Sequence, residues 1–139
     1  MKKIILTLFL AISGLAMSQN STKLALVNGA LASNSLKEID KNNIKAITLI
    51  KNQNKLPHNL KSIEVNDQNP VFIIEVKENY YDKISLAELN RQNDLPSDNL
   101  INYNGRTISN TQLDMIANVL KDQKVNTVEG KKVLFITTL

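Results

Sequence analysis

Residues 24–51 read LALVNGALASNSLKEIDKNNIKAITLIK, and a looser copy of the opening of this stretch returns near the C-terminus. Its first residues, 24–27, form an apolar run that stops at Asn28 and Gly29. An Asn-Gly pair readily takes positive φ and therefore reverses the backbone tightly. The opening of the stretch predicts a strand that enters a turn.

The remainder of this stretch contains a helix-start pattern and a second apolar run. Ser35 and Glu38 satisfy the S-x-x-E rule, in which the serine hydroxyl binds the amide of the third helical residue and the glutamate returns to the cap amide. Residues 44–50 are rich in β-branched side chains and are too short for an independent helix. The predicted order is strand, turn, short helix and strand.

The N-terminus has the composition of a signal peptide. Lys2 and Lys3 precede an apolar run over residues 4–17, and Ala16 and Ser18 occupy the two positions at which a signal peptidase requires small side chains. We therefore place the cleavage after Ser18 and predict a periplasmic or secreted protein with no integral membrane segment after cleavage. The alternative is an uncleaved membrane anchor, but the apolar run falls short of the roughly 20 residues that span a bilayer.

Charge and cysteine content exclude several classes of protein. The formal charge is +4, and cleavage removes two lysines and no acidic residue, which leaves +2 on the mature 121 residues. Lysines and acidic residues are interspersed, and Lys131-Lys132 is the only adjacent basic pair of the mature chain, so no basic stripe could follow a nucleic-acid backbone. The absence of cysteine excludes a lipid-modified N-terminus and any disulfide. Stability must come from the core of one modest domain or two small lobes.

Downstream, a polar loop precedes the clearest strand of the chain. Residues 51–70 are polar and rich in asparagine, with Ile63 and Val65 as their only β-branched pair, and they predict a long loop with at most one short edge strand. Residues 71–77 form an apolar run with turn-forming residues on both sides. We expect this run to lie centrally in a sheet.

Two further helices are predicted. Ser85 repeats the capping pattern, so a short helix should run from Leu86 to about Asn93 before Pro96 ends the helical region. Residues 111–123 follow another helix-start pattern and carry apolar side chains at helical spacing, which predicts an amphipathic helix with a buried stripe. The stripe consists of Leu113, Ile116, Ala117 and Leu120.

The C-terminal residues predict a hairpin that closes the sheet. Residues 125–128 and 131–138 flank Glu129-Gly130, a pair suited to a tight turn. The second arm would be the last strand of the chain. We expect this strand and the strand at 71–76 to share one mixed sheet.

Two parts of the chain share a motif. Residues 28–34 and 104–110 both follow the pattern N-G-x-x-x-S-N, and an apolar strand ends each part. The similarity indicates either an internal duplication or the chance recurrence of turn residues and β-rich runs. On the first interpretation, residues 19–83 form one unit, and residues 84–139 form a linker helix and a second unit. The predicted fold class is α+β: a mixed β-sheet with three short helices, built from two related strand-turn-helix-strand units.

Several of these motifs resemble the plug domain of TonB-dependent outer-membrane receptors. Such plugs typically contain a strand that ends in Asp-Gly, a short helix, a turn with proline, an Ile-x-x-Ile-x-Val-Leu-Lys stretch and a Gly-Val-x-x-Ile-x-Thr-Lys strand. The similar segments are residues 26–29, 39–44, 47–51 and 71–77 in the first unit, and residues 98–105 and 130–138 in the second.

The sequence also departs from the plug pattern. Asparagine replaces the usual aspartate before both glycines, and the loop at 51–70 stands in place of a small-residue helix with a Tyr-Gly pair. The mature 121 residues cannot supply the roughly 22 tilted strands of a receptor barrel. The resemblance implies a free-standing periplasmic domain: a partner or decoy for the same machinery, or a vestigial plug without a ligand.

No residue pattern predicts catalysis, a cofactor or a metal site. His58 is the only histidine, and no cluster of residues at metal-ligand spacing accompanies it, so we interpret it as a surface residue. The chain has neither a nucleophile-elbow pattern nor a glycine-rich phosphate loop. An alternative function, a small secreted hydrolase or enzyme accessory, requires a pocket that joins His58 to carboxylates such as Glu64 or Asp67.

Tyrosines and strand edges are the candidate binding elements. Tyrosine is enriched in interfaces, which makes Tyr80, Tyr81 and Tyr103 candidate binding residues; the alternative is that these rings cover the ends of the sheet. If the strand at 71–76 or that at 133–136 lies at an edge, its free amides could add a partner's strand. We therefore predict an exported, non-enzymatic envelope protein that binds a protein or peptide.

Overall fold

A computed structural model describes residues 24–33, 35–36 and 38–139. The predicted signal peptide, residues 1–18, lies outside the described residues. Within them, the chain forms ten strands, one α-helix and four short 3-10 turns. The strands are β1 (Leu24–Val27), β2 (Ala30–Leu31), β3 (Ile44–Ile50), β4 (Val71–Val76), β5 (Lys83–Ser85), β6 (Ile101–Tyr103), β7 (Arg106–Ile108), β8 (Asp114–Ile116), β9 (Leu120–Val128) and β10 (Lys131–Thr138). Helix α1 is Leu86–Gln92, and the 3-10 turns are Lys41–Asn43, Gln53–Lys55, His58–Leu60 and Ala117–Val119.

The strands form two mixed sheets. The first has the order β3-β4-β1-β2-β8-β5, and the second has the order β7-β6-β10-β9. Strand β1 is parallel to β4, β2 to β8, and β6 to β10, whereas the other neighbours are antiparallel. The predicted α+β class with mixed sheets is confirmed at this level, although most of the regular structure is β. In the described part of the chain, no helix is long and apolar enough to cross a membrane.

The expectation that both apolar strands share one sheet is wrong. Strand β4 lies inside the first sheet, as expected for a central strand, but β10 lies inside the second. Each strand that ends in Asn-Gly takes its own apolar strand as a parallel partner, β1 with β4 and β6 with β10. A further strand covers the other side of each apolar strand, so neither has a free edge through which the two could join.

The same four-strand arrangement occurs in both sheets. The first contains β3-β4-β1-β2 and the second contains β9-β10-β6-β7, with the same parallel and antiparallel pairs. Both strand pairs β1–β2 and β6–β7 turn at Asn-Gly, and both asparagines have positive φ. The Asn28 side-chain oxygen accepts a hydrogen bond from the Val76 amide at 3.1 Å, and that of Asn104 accepts one from the Thr138 amide at 3.0 Å.

A 3-10 turn precedes the antiparallel outer strand of each arrangement. Lys41–Asn43 leads into β3, and Ala117–Val119 leads into β9. In both cases the carbonyl oxygen of the last turn residue accepts a hydrogen bond from the residue after the apolar strand, from Lys77 at 2.7 Å and from Leu139 at 3.0 Å. Both outer strands also have a register irregularity near their first residues.

The helix predicted to start at Ser35 does not form among the described residues. Ser33 provides the cap instead: its hydroxyl accepts from the Leu36 amide at 3.2 Å, and Glu38 binds the Ser33 amide and hydroxyl. Leu36 has a φ of 58°, which a right-handed helix cannot contain. The hydrogen bonds of Ser33, and not the S-x-x-E pattern of Ser35, therefore stabilise a turn here, and the next regular element is the 3-10 turn Lys41–Asn43.

The amphipathic helix predicted at residues 111–123 is also wrong. This segment contains β8, a 3-10 turn and the start of β9. Its apolar residues fit a strand as well as a helix, since Leu113 and Met115 are buried on either side of exposed Asp114. The supposed cap is a turn in which the Asn110 side chain accepts from the Gln112 amide at 3.1 Å. Strand β8 is required between β2 and β5, and this pairing overrides the helical spacing.

The short helix α1, strand β3 and the closing hairpin are confirmed. The Ser85 hydroxyl accepts from the Glu88 amide at 3.1 Å and caps α1. Strands β9 and β10 pair over their whole length around Glu129-Gly130, although β9 begins earlier than the sequence predicts. The buried side chains of both sheets form one hydrophobic core.

Candidate binding surface

The loop between β3 and β4 contributes to the core. The sequence predicts a loop at residues 51–70, and the structure has two 3-10 turns and no strand there. Four aliphatic side chains of this loop are at most 5% exposed, so the loop packs against the sheet and is not merely solvated. These side chains are Leu56, Leu60, Ile63 and Val65.

A cavity of about 500 Å³ shows which face of the first sheet the loop covers. Ile73 and Glu75 lie on the same side of β4, and the pairing register places Leu26 of β1 on that side as well. The loop therefore lies over the face to which Leu26 belongs. The cavity is lined by Pro57, Asn59 and Leu60 of the loop, by Ile73 and Glu75, and by the Asn28-Gly29 turn, among others.

The side chain of Gln53 makes three hydrogen bonds within the covering loop. Gln53 Nε2 donates to the carbonyl oxygens of Lys61 and Ile63, both at 2.8 Å, and Gln53 Oε1 accepts from the Val65 amide at 2.8 Å. These backbone groups lie where the aliphatic side chains of the loop are buried. Buried backbone groups need hydrogen-bond partners, so an irregular segment can cover a sheet only if such bonds are made.

Among the described residues, no segment covers the corresponding side of the second sheet. Strands β9 and β10 are joined by Glu129 and Gly130 alone, and a two-residue turn cannot fold back over the sheet. A cavity of about 480 Å³ lies at the matching position. It is lined by Asn102, by the Asn104-Gly105 turn, by Phe135, Ile136, Thr137 and Thr138 of β10, and by Leu139.

We call this uncovered side of the second sheet the open face. Side chains alternate along a strand, and the pairing register places one set from β6, β9 and β10 on the same side. The open face consists of Asn102, Asp122, Lys124, Asn126, Val133, Phe135 and Thr137, with Leu100, Val128, Lys131 and Leu139 at its ends.

Two pairs of matching positions, at one end of the two faces, differ in exposure. Leu24 is 1% exposed, whereas Leu100, at the corresponding position, is 48% exposed. Val71 is fully buried, whereas Val133 is half-buried. Of the four large apolar residues that are exposed in the described part of the chain, Leu100, Val128 and Leu139 lie on the open face. Apolar side chains exposed on one face of a sheet are typical of interaction sites.

The open face also carries three charged groups. Lys124 and Asp122 project from β9, and Lys131 lies opposite Val128 at the start of β10. All three side chains are exposed, and none takes part in a salt bridge with another described residue. These charges are therefore available to a bound molecule.

The free sheet edges are not those that the sequence suggests. Strands β4 and β10, the apolar strands at 71–76 and 133–136, are each second from the end of their sheets, so neither can add a partner's strand. The edges belong to β3 and β5 in the first sheet and to β7 and β9 in the second. Strand β9 is exposed along most of its nine residues, but Lys121 and Lys124 are side chains of the kind that protect an edge from pairing.

Tyr103 lies in the core, contrary to its predicted place at a binding surface. Its ring is 0% exposed, and its hydroxyl donates to the Ala32 carbonyl oxygen at 3.1 Å. Burial raises the pKa of Tyr103 above its ordinary value, and the charge of Glu38 adds a smaller effect. Because Ala32 follows β2 and Tyr103 ends β6, this hydrogen bond links the two sheets.

Arg106 makes a second buried link. Its guanidinium donates to three carbonyl oxygens at the end of the covering loop, those of Glu64, Asn69 at 3.0 Å and Pro70 at 3.2 Å. Burial lowers the pKa of Arg106, and the charge of Glu64 opposes this effect. Arg106 thus ties β7 of the second sheet to the loop that covers the first.

Tyr80 and Tyr81 lie together, apart from Tyr103. Their rings stack with centroids 4.7 Å apart and planes at 27°, and Tyr80 is 60% exposed. The neighbouring Tyr81 hydroxyl is the main cause of a raised pKa at Tyr80, to which burial and then the charges of Asp40 and Glu78 add. The pair belongs to the connector between β4 and β5 and lines neither cavity described above.

His58 is exposed in the 3-10 turn His58–Leu60. The cavity under the loop is lined by its neighbours Pro57 and Asn59, and Glu64 lines a separate cavity of about 220 Å³ beside Arg106. His58 lines neither cavity. Among the described residues, no group of three or more histidine, cysteine, aspartate or glutamate side chains could hold a metal ion.

Sequence reasoning missed the open face, although one signal for it is present. The two parts of the chain differ most in the connection before their last strand, which spans residues 51–70 in the first part and only Glu129-Gly130 in the second. A comparison of these lengths would have shown that the second sheet lacks a cover.

No protein-family model matches the chain, and neither a curated protein nor a solved structure is significantly similar to it. Function must therefore be inferred from the geometry of the chain itself.

Proposed function

We propose that this protein is an exported, non-enzymatic module of the cell envelope that binds a segment of a protein or peptide on its open face. The observation that carries the proposal is the contrast between the sheets. The face that a loop of this chain covers in the first sheet is bare in the second, with Leu100, Val128 and Leu139 at its ends and Phe135 at its centre.

We further propose that the two four-strand arrangements are related units. Between Ala25 and Ile50, each paired residue of the first arrangement corresponds in strand pairing to a residue 76 positions later, as Ala25 does to Ile101 and Ile44 to Leu120. The Asn-Gly turns, their side-chain hydrogen bonds and the 3-10 turns correspond as well. Chance recurrence of turn residues does not account for a constant offset across strands, turns and register irregularity, which supports duplication.

The resemblance to the plug domain of TonB-dependent receptors fits this proposal. In both units, segments that resemble a plug fall at the Asn-Gly strand and at the last apolar strand, and in the first unit two more fall at the 3-10 turn before β3 and at β3 itself. A plug-like module without a barrel would act by presenting a surface. An envelope protein or peptide is therefore the partner we propose, in the periplasm or outside the cell.

The proposal is tested by placing a photoreactive benzoylphenylalanine at position 135 of the tagged, exported chain. Illumination of the cells should give an adduct with an envelope protein, because the half-buried Phe135 lies at the centre of the open face. The matched control is the same residue at position 73, which pairs equivalently in β4 but lies beside the covering loop. It should give no adduct with another protein.

Two further variants distinguish the open face from the alternative sites at the stacked tyrosines and at His58. Adducts from position 80 and none from position 135 would move the site to the stacked tyrosines. The hydrolase alternative would replace the proposal if neither position gave adducts and the purified chain turned over a small substrate in a manner abolished by H58A.

A further inference from the structure

The open face, taken as the binding site proposed above, also indicates what kind of segment it receives. We propose that its occupant is a non-helical segment of another protein, with aliphatic side chains at its centre and carboxylates at its flanks.

The chain itself shows what covers such a face. Over the first sheet lies an irregular segment with two 3-10 turns, whose Leu56, Leu60 and Ile63 are buried. The strands beneath have the same order and pairing as those of the open face. A sheet surface of this shape therefore accepts a chain that is not an α-helix and that presents branched aliphatic side chains.

The open face is more polar than the covered face, as expected of a surface that binds a separate chain. Along β3 the residues on the covered side are Ala46, Thr48 and Ile50, and at the corresponding positions β9 has Asp122, Lys124 and Asn126. The centre, at Val133 and Phe135, stays apolar. A mixture of apolar and polar groups is typical of surfaces that bind a separate chain, because such surfaces must also tolerate water when free.

The two lysines of the open face determine the flanks of the occupant, because Asp122, the third charged group, lies two residues beyond Lys124 and outside the interval between the lysines. Lys131 of β10 lies opposite Val128 of β9, and Val128 is four residues along β9 from Lys124. At roughly 3.4 Å per residue, the two lysines are therefore about 14 Å apart. In an extended segment, residues i and i+4 point to the same side with the same spacing. Two carboxylates four residues apart, with an aliphatic residue between them, would meet both lysines.

The inference is tested with three 12-residue peptides whose centres are Glu-Ser-Ile-Ser-Glu, Gln-Ser-Ile-Ser-Gln and Lys-Ser-Ile-Ser-Lys. Each is titrated into the isotopically labelled mature chain, and amide shifts are followed by NMR. The glutamate peptide should shift the resonances of the open face and bind about fivefold tighter than the glutamine peptide, as two exposed ion pairs allow. The lysine peptide should bind more weakly than both.

A variant that lacks both lysines tests whether they cause the preference for carboxylates. The K124Q/K131Q variant changes only exposed side chains, so it should fold and should bind the glutamate and glutamine peptides equally. The inference is overturned if the glutamate peptide has no advantage, if its shifts map outside the open face, or if adducts from position 135 contain a second copy of this chain. Adducts with an envelope protein alongside no preference for carboxylates would leave the proposed function intact and refute this inference alone.

Discussion

Replacing Arg106 by methionine is expected to lower the free energy of unfolding by about 3 kcal/mol, because three carbonyl oxygens at buried or partly buried positions lose a charged donor at once. Arg106 is 7% exposed and binds Glu64, Asn69 and Pro70 where the covering loop enters β4. Methionine restores most of the buried volume, so the loss reports the hydrogen bonds more than packing. Urea denaturation of wild type and R106M would measure it.

Arg91 is the matched control for this substitution. Its guanidinium forms a salt bridge with Glu88 at 2.8 Å on the exposed side of α1. Exposed pairs of this type contribute little, so R91M should lower the free energy of unfolding by less than about 1 kcal/mol. Equal losses in R91M and R106M would show that Arg106 does not link the second sheet to the loop.

Replacing Leu60 by alanine is expected to lower the free energy of unfolding by about 3 kcal/mol, within the range for buried leucines that leave a cavity. Leu60 is 2% exposed, although it belongs to a loop that the sequence presents as polar. If the loop covers the first sheet, this position must behave as part of the core. Thermal and urea unfolding of L60A both measure the effect.

Leu100 provides the comparison, since it carries the same side chain at 48% exposure. The L100A variant should lose less than about 1 kcal/mol, because little apolar surface returns to water. If L100A were as destabilised as L60A, the open face would have a cover that the described residues do not supply.

The elements that sequence reasoning predicts correctly are those whose signal is local. Residues 44–50 and 71–76 are strands because their composition permits little else, and α1 begins where Ser85 can cap it. The turn at Asn28-Gly29 follows from the positive φ that this pair tolerates. These features need no knowledge of the rest of the fold.

The features that sequence reasoning predicts wrongly depend on partners far along the chain. The first residues of β9, which fall in the predicted helix at 111–123, are polar after Leu120, and only pairing with β10 makes them part of a strand. Nothing near Tyr103 in the sequence indicates that it is buried, because the carbonyl oxygen that accepts its hydrogen bond belongs to Ala32, in the other half of the chain. Sequence reasoning missed the open face for the same reason. This face is recognised only by comparison with the matching face of the first sheet, which a loop covers.

The most direct test compares thiol reactivity at two corresponding strand positions. The chain has no cysteine, so V71C and V133C each contain one thiol on matching sides of β4 and β10. In the folded protein, we expect V133C to react within about tenfold of its rate in urea, and V71C to react at least about 100-fold more slowly than in urea, because its labelling requires opening of the covered sheet. Strong protection of both thiols, or of neither, would contradict the claim that one sheet is covered by its own loop while the other is left open for a partner.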